Sequence, residues 1–533
     1  MGLAHDLVKG PWAVASVEGS RLAHAVSSQC IHGQRAPCGR TDTVPAVSKG
    51  ARNWLTPAAW ITGVTAALLL VFPYGFPNYD TIYALVWGRE LAHLESPDYG
   101  AALPPTPHPL TDLMGLVATP LGDGAITVTM IVAYLSLALI GFFVYRLGAI
   151  WFDRWIGAVA AAIVLTRAPF LSNGLRAYID LPYIALCLGA LLIEAKRPRA
   201  GWPVLALLAL AGLLRPEAWL FAVVYWLYLA APRLTGREYA SMEGNRPIDR
   251  RELVWLGVLA LAGPLLWVLF DLITTGSPTY SWTGTRETVE TLERQTGPVD
   301  LVLYGPRRLG EVLQWPGMVG AFGGVALGLA FLRRRSVLGA AAAALALGAF
   351  ALLACSGLAI LPRYTMLTAS ILAIFAALGL LGWRLLDPGH PWRRRWQVFA
   401  AIVAAMFVVW LPNQWDLDSR VDTDLTNQAR IEADLTDLVD AGAFEPLCGK
   451  IAVPNHRAIP RLAFGLDVKP TEIVSASEEG VPQRGYFVAP ASQFVIHNFI
   501  LDPNDTTDFS LPPPKGFKQV AGNESWTVYS RCP

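Results

Sequence analysis

The chain has 533 residues, of which 53% are hydrophobic and only 16% charged, with a mean hydropathy of +0.40. That balance excludes a soluble globular enzyme and marks a polytopic membrane protein. The formal net charge of +1 sums a basic side and an acidic side, and gives nucleic-acid binding no support.

Residues 1–52 are rich in small and polar residues without a periodic apolar face, which predicts a disordered cytoplasmic arm. No cleavable signal is visible in the first thirty residues, so the first span is expected to act as an uncleaved anchor. A span needs about 20 mainly apolar residues. Eleven such segments are centred in 57–76, 124–145, 156–171, 180–195, 202–214, 218–231, 253–272, 316–332, 337–361, 364–383 and 396–412. Together they make residues 53–412 an α-helical membrane domain with a long first outer loop, 77–123. The fifth and sixth segments meet at Arg215-Pro216-Glu217, either a surface loop or a break in one kinked helix. Lysine and arginine gather in alternate connections, at 146–155, 196–199, 233–251, 333–335 and 384–396. The positive-inside rule then places the N-terminus in the cytoplasm and favours eleven spans over ten.

After residue 412 the composition becomes polar, and residues 413–533 read as an extracytoplasmic α/β domain. An amphipathic helix is expected over 422–441, strands at KIAVP, GYFVAP and ESWTVYSRC, and helices at HRAIPRLAFGL and SQFVIHNFI. Of six cysteines, only Cys448 and Cys532 fall together in this oxidising region. A bridge between them would tie the first strand to the last, worth about 2–4 kcal/mol.

Ionisable groups at the outer ends of spans are costly enough to need a reason. Four places carry them. Asp80 opens the first outer loop beside Tyr79, with His108 further along in PPTPHPL. Arg176, Tyr178 and Asp180 stand where the third span turns into the fourth. Arg215 and Glu217 flank Pro216, and Arg363 and Tyr364 lie between the ninth and tenth spans. All four lie on one predicted face, so two carboxylates and two arginines converge. A guanidinium suits a phosphate, and a carboxylate can take a proton from an attacking hydroxyl. Set against this, Asp80 could cap a helix beginning at Thr81, Asp180 could cap the fourth span ahead of Pro182, and the arginines could snorkel to headgroups. No GxGxxG, Walker or HExxH motif, fixed-period repeat or zinc-type Cys/His spacing occurs.

These residues give the chain a resemblance to GT-C type glycosyltransferases, which take sugars from polyprenyl-phosphate donors and include the protein mannosyltransferase and aminoarabinose transferase-like superfamily. The resemblance covers residues 57 to about 412. It rests on an aspartate in the first outer loop (Asp80), an acidic residue before the fourth span (Asp180), an Arg-Pro pair between later spans (Arg215-Pro216) and a late arginine (Arg363). Gly276, Pro278 and Tyr280 resemble a family loop after a middle span.

The resemblance implies an inverting transfer with Asp80 as base and Arg215 and Arg363 on the donor phosphate. Tyr79, His108, Arg176, Tyr178, Glu217 and Tyr364 would bind substrate, and a glycan, glycolipid or protein would be the acceptor. Asp180 would orient the acceptor or hold a divalent cation, Mg or Mn. No metal ligand set is assigned, because Thr81 follows Asp80 where some members carry an Asp-Glu pair. Alternatives are a lipid-linked oligosaccharide polymerase or ligase, and a transporter or flippase of a lipid-linked sugar.

Overall fold

The computed structural model describes residues 49–234, 248–500 and 509–532, with side chains from residue 57 onward and up to 232 in the first of these segments. The arm expected over 1–52 falls almost entirely outside them. Residues 53–533 form one unit.

Among the described residues, fifteen α-helices run to the start of the sheet domain. They are α1 (Lys49–Val71), α2 (Tyr79–Ala92), α3 (Pro109–Ala118), α4 (Gly124–Trp151), α5 (Arg154–Leu165), α6 (Ala168–Leu175), α7 (Asp180–Lys196), α8 (Trp202–Gly212), α9 (Glu217–Leu234), α10 (Arg250–Thr275), α11 (Tyr280–Thr291), α12 (Gly297–Phe331), α13 (Arg333–Cys355), α14 (Met366–Leu381) and α15 (Arg393–Asp440). Short 3₁₀ turns intervene, one of them Pro362–Thr365 ahead of α14.

All eleven expected spans coincide with helices. Among the described residues, however, only six helices are long and apolar enough to cross a membrane, or seven if α5 and α6, bent by 60°, count as one. Two of the others are shorter than a straight crossing: α8 has 11 residues and α7 has 17, about 16 and 26 Å at 1.5 Å per residue against a hydrocarbon layer of about 30 Å. Helices α8 and α9 pack side by side, so Arg215-Pro216 is the turn of a hairpin and not a kink within one helix.

The membrane bundle is built around α14, buried along almost its whole length. It packs on α12 with the backbones touching: a Cβ added at Gly324 would lie 1.9 Å from the Phe375 carbonyl oxygen. Small residues permit this approach where lipid offers no hydrophobic drive to association. Helix α12 kinks at Gln314 (φ 60°), two residues before Pro316, whose ring and missing N–H break the ladder. The Gln314 side chain there accepts from Arg167 Nη1 (2.7 Å) and Trp410 Nε1 (2.8 Å).

The C-terminal region carries α16 (Ile459–Gly465), α17 (Ala476–Glu479), α18 (Gln493–Phe499) and strands β1 (Lys450–Val453), β2 (Ile473–Ser475), β3 (Gly485–Pro490), β4 (Lys518–Gly522) and β5 (Trp526–Arg531). The sheet order is β2-β1-β3-β5-β4. β1 runs parallel to β2 and β3, while β5 is antiparallel to β3 and β4. Cys448 and Cys532 are bonded across it, Cα–Cα 5.8 Å. The three strands expected from sequence are β1, β3 and β5; β2 and β4 are additional.

Two features depart from the sequence expectations. The span over 396–412 and the helix over 422–441 are one helix, α15, 48 residues and about 72 Å long, which passes through Pro412 and carries i,i+4 pairs between Asp416 and Arg420 and between Gln414 and Asp418. The loop expected over 77–123 contains α2 and α3, and α2 shares a core with the sheet domain. Tyr83, Val86 and Trp87 pack with Ile431, Leu435, Ile451, Leu462 and Trp526.

α2 and α3 cross at Gly88 and Gly115, where a Cβ on Gly88 would lie 2.3 Å from the Gly115 carbonyl carbon. Gly88→Ala is therefore expected to destabilise the outer layer by about 1–3 kcal/mol, seen as a lower thermal midpoint of the detergent-purified protein. Gly63→Ala, with nothing within 4 Å of its new methyl, should leave the midpoint in place. Equal effects would show that the crossing is not close-packed.

Candidate active site

A cavity of about 810 Å³ opens where α2, the α6–α7 turn, the α8–α9 turn and the Pro362–Thr365 turn meet. All ten sequence-nominated site residues line it: Tyr79, Asp80, His108, Arg176, Tyr178, Asp180, Arg215, Glu217, Arg363 and Tyr364.

Backbone contacts fix the position of Asp80. Asn78 caps α2 by accepting from Thr81 N (3.2 Å), so the capping role is Asn78's, and Asp80 sits in the first turn. Asn78 Nδ2 donates to Arg176 O (2.8 Å) and Thr81 Oγ1 to Ala177 O (2.8 Å). The start of α2 is thereby stitched to the α6–α7 turn, where Ala177 takes φ 51°.

The floor is a set of charges and rings. Arg215 is buried and donates Nε and Nη2 to Glu217 (3.2 and 2.8 Å) and Nη1 to Asp180. Asp180 Oδ2 is buried with no hydrogen-bond partner among the described residues. Burying this cation without such pairing would be prohibitive. Arg363 meets Asp80 through Nη1 at 3.6 Å. Arg176 folds back on Ser172, with Nη2 on Oγ (2.9 Å).

His108 lies against Trp267 with ring centroids 5.5 Å apart. Burial, together with repulsion from Arg215 and Arg363, pushes its pKa down to about 3, so the imidazole is neutral at physiological pH. Tyr79 donates to Leu103 O (3.0 Å) and packs edge-on to His456 (5.5 Å), with the Arg457 guanidinium 5.3 Å from its ring.

Several lining residues were not nominated from sequence. Trp267, Asp271 and Ser281 come from α10 and α11, Arg307, Arg308 and Glu311 from α12, Glu432 from α15, and His456 and Arg457 from the sheet domain. Asp271 accepts from Ser281 N (3.0 Å) and Oγ (2.7 Å), fixing α11 on α10. Arg308 bridges Glu311 (3.1 Å) and Gln295 (2.9 Å). The only local signal for these was charge beside proline or at a helix end. Among the described residues no three His, Cys, Asp or Glu side chains cluster, and Asp80 and Asp180 each face a guanidinium.

No protein-family model matches the chain, and no curated protein matches it in sequence. Among solved structures it is similar to ArnT from Cupriavidus metallidurans bound to undecaprenyl phosphate, with a TM-score of 0.52 at 14% identity, over 90% of this chain and 98% of that one. The chain has a GT-C fold. A second structure of that ArnT, in the apo state, matches over the same shares with a TM-score of 0.48 at 15% identity. The archaeal oligosaccharyltransferase AglB from Archaeoglobus fulgidus, in complex with an inhibitory peptide and a dolichol-phosphate, matches at 0.42 and 12% identity, over 80% of this chain and 65% of that one. On this GT-C frame the cavity lies at one end of the membrane bundle, under the sheet domain.

The helix that carries Asp80 is also latched at its far end. Arg89 donates to the carbonyls of Ala463, Phe464 and Val468 (3.1–3.2 Å) and pairs with Asp467. Buried Glu90 accepts from Asp98 N (2.7 Å), and Asp98 accepts from Thr471 N (2.9 Å). Burial raises the Glu90 pKa from 4.5 to about 7. A carboxyl whose pKa is raised on folding holds its proton more tightly folded than unfolded, so stability declines as pH rises from about 4.5 through about 7. Thermal midpoints measured at pH 5 and pH 8 should differ less for Glu90→Gln than for wild type. An unaltered difference would show that Glu90 does not titrate in this range.

Proposed function

We propose that this chain is an integral membrane glycosyltransferase that moves a sugar from a polyprenyl-phosphate donor to a hydroxyl on a cell-envelope glycan, glycolipid or protein. The reaction would occur on the extracytoplasmic face, with the N-terminus in the cytoplasm. The observation that carries this reading is the meeting of Asp80 and Arg363, at 3.6 Å, in a cavity at the end of a GT-C bundle. The structural neighbour ArnT holds undecaprenyl phosphate, a ligand of the proposed donor class.

The arrangement suits a single inverting displacement. The acceptor oxygen attacks the anomeric carbon and forms the new C–O bond, while the bond from that carbon to the phosphate oxygen breaks and its electron pair leaves with the lipid phosphate. Arg363 stabilises the charge that develops on that oxygen. Asp80 takes the acceptor's proton. Asp180 and Glu217 act through Arg215, whose side chain they hold in the cavity floor. Neutral His108 beside Trp267 offers a hydrogen bond and an apolar face to the sugar without adding charge.

Sugar transfer from radiolabelled polyprenyl-phosphate donors to a crude envelope acceptor tests the assignment. Asp80→Asn should lower transfer by at least about a hundredfold, with folding intact by size-exclusion profile. Equal rates in the two proteins would remove Asp80 as the base. Absence of transfer by wild type across a broad donor set would remove the activity itself.

A further inference from the structure

The cavity's two central arginines are held in different ways. Each nitrogen of Arg215 makes a hydrogen bond: Nε and Nη2 with Glu217, Nη1 with Asp180. Arg363 is different. Its Nε is buried without a hydrogen-bond partner among the described residues, and its contact with Asp80, at 3.6 Å, is well beyond the roughly 2.7–2.9 Å of a charge-assisted hydrogen bond.

What holds Arg363 is a pair of ring faces. Its Cζ lies 5.2 Å from the Tyr178 ring centroid and 5.4 Å from that of Tyr364. The pattern extends on both sides. Arg176 lies 5.0 Å from the other arginine-bearing ring, Tyr178, and Arg215 lies 4.0 Å from Tyr364 and 5.7 Å from Tyr183. Guanidinium and phenol groups thus alternate across the floor in the order Arg176, Tyr178, Arg363, Tyr364, Arg215, Tyr183. A ring face attracts a cation without using its N–H groups. Arg363 is therefore fixed in place while the exposed part of its guanidinium, 24% of the side chain, remains available to a ligand.

We infer that Tyr178 and Tyr364 are positioning residues that hold Arg363 between Asp80 and an incoming lipid phosphate, so that the phosphate draws Arg363 away from Asp80 and exposes the carboxylate to the acceptor. This rests on the donor class proposed above. A phosphate presents several anionic oxygens in a geometry that a guanidinium engages bidentately, which a carboxylate held at 3.6 Å does not match. The exchange makes the base available only once the donor is seated. Before that, Asp80 faces a cation and is not offered free to water or to acceptor alone.

The test uses the full chain in lipid nanodiscs with undecaprenyl phosphate as the probe. Infrared difference spectra of protein labelled with ¹³C-aspartate, with the Asp80 band assigned from Asp80→Asn, report the carboxylate's partner directly. Lipid phosphate should shift the Asp80 stretch from its arginine-paired position. Tyr364→Leu should weaken lipid-phosphate binding about 3- to 30-fold, the size of a lost desolvated cation–ring contact, and Tyr364→Phe should recover most of that loss. Tight binding with no movement of the Asp80 band would overturn the exchange while leaving the proposed donor class standing. Equal weakening by Phe and Leu would overturn the role of the ring. No binding of the lipid phosphate by wild type would overturn the exchange and the donor class together.

Discussion

Arg215 is a cation that has lost its water and is paired with two carboxylates, and the site end of the bundle is organised around that pairing. Asp180 and Glu217 are the first residues of α7 and α9, where helix dipoles favour negative charge. Their shared partner draws two separate turns together. Tyr364 lies on the face of the same guanidinium and brings in the turn before α14. Arg363 adjoins Tyr364 in space as in sequence, and Asp80 is met through Arg363. The cavity floor is thus a chain of contacts that begins at one buried charge. Removing both carboxylates would leave that charge uncompensated, which costs far more than the pairing contributes.

The opposite wall depends on α2. Its first turn is hydrogen-bonded to the α6–α7 turn, its middle packs in the core of the sheet domain, and its last turn is gripped through Arg89 and Glu90. The sheet domain therefore does more than cover the site. It fixes the helix on which Asp80 stands, and it adds Arg457 and His456 to the lining. The length of α15, running unbroken from the bundle into that domain, ties the two together mechanically.

Much of the floor was legible in the sequence because charged residues at the ends of apolar segments have few structural reasons to be there. Asp80, Asp180, Arg215 and Arg363 stand out on that ground alone. Helix α2 did not, since residues 81–88 are buried on every side and a helix without a polar face has no 3.6-residue period. The continuity of α15 was hidden by Pro412 and by the abrupt change to polar composition at the membrane boundary. Arg308 and Arg457 were hidden by distance along the chain: only the fold brings residues so far apart in sequence to one cavity. Helices α7 and α8 show how composition and length can part company: both are apolar, yet at 17 and 11 residues they are shorter than a straight crossing needs.

The proposed reaction makes one commitment that the geometry of a single carboxylate base requires. With Asp80 deprotonating the acceptor, and no protein nucleophile between donor and acceptor, the anomeric configuration of the sugar must invert. NMR of the product formed from a polyprenyl-phosphate sugar of defined anomeric configuration measures this directly. The account predicts the opposite anomer in the product. A product with the donor's configuration would exclude a single inverting displacement, and would contradict the role given to Asp80.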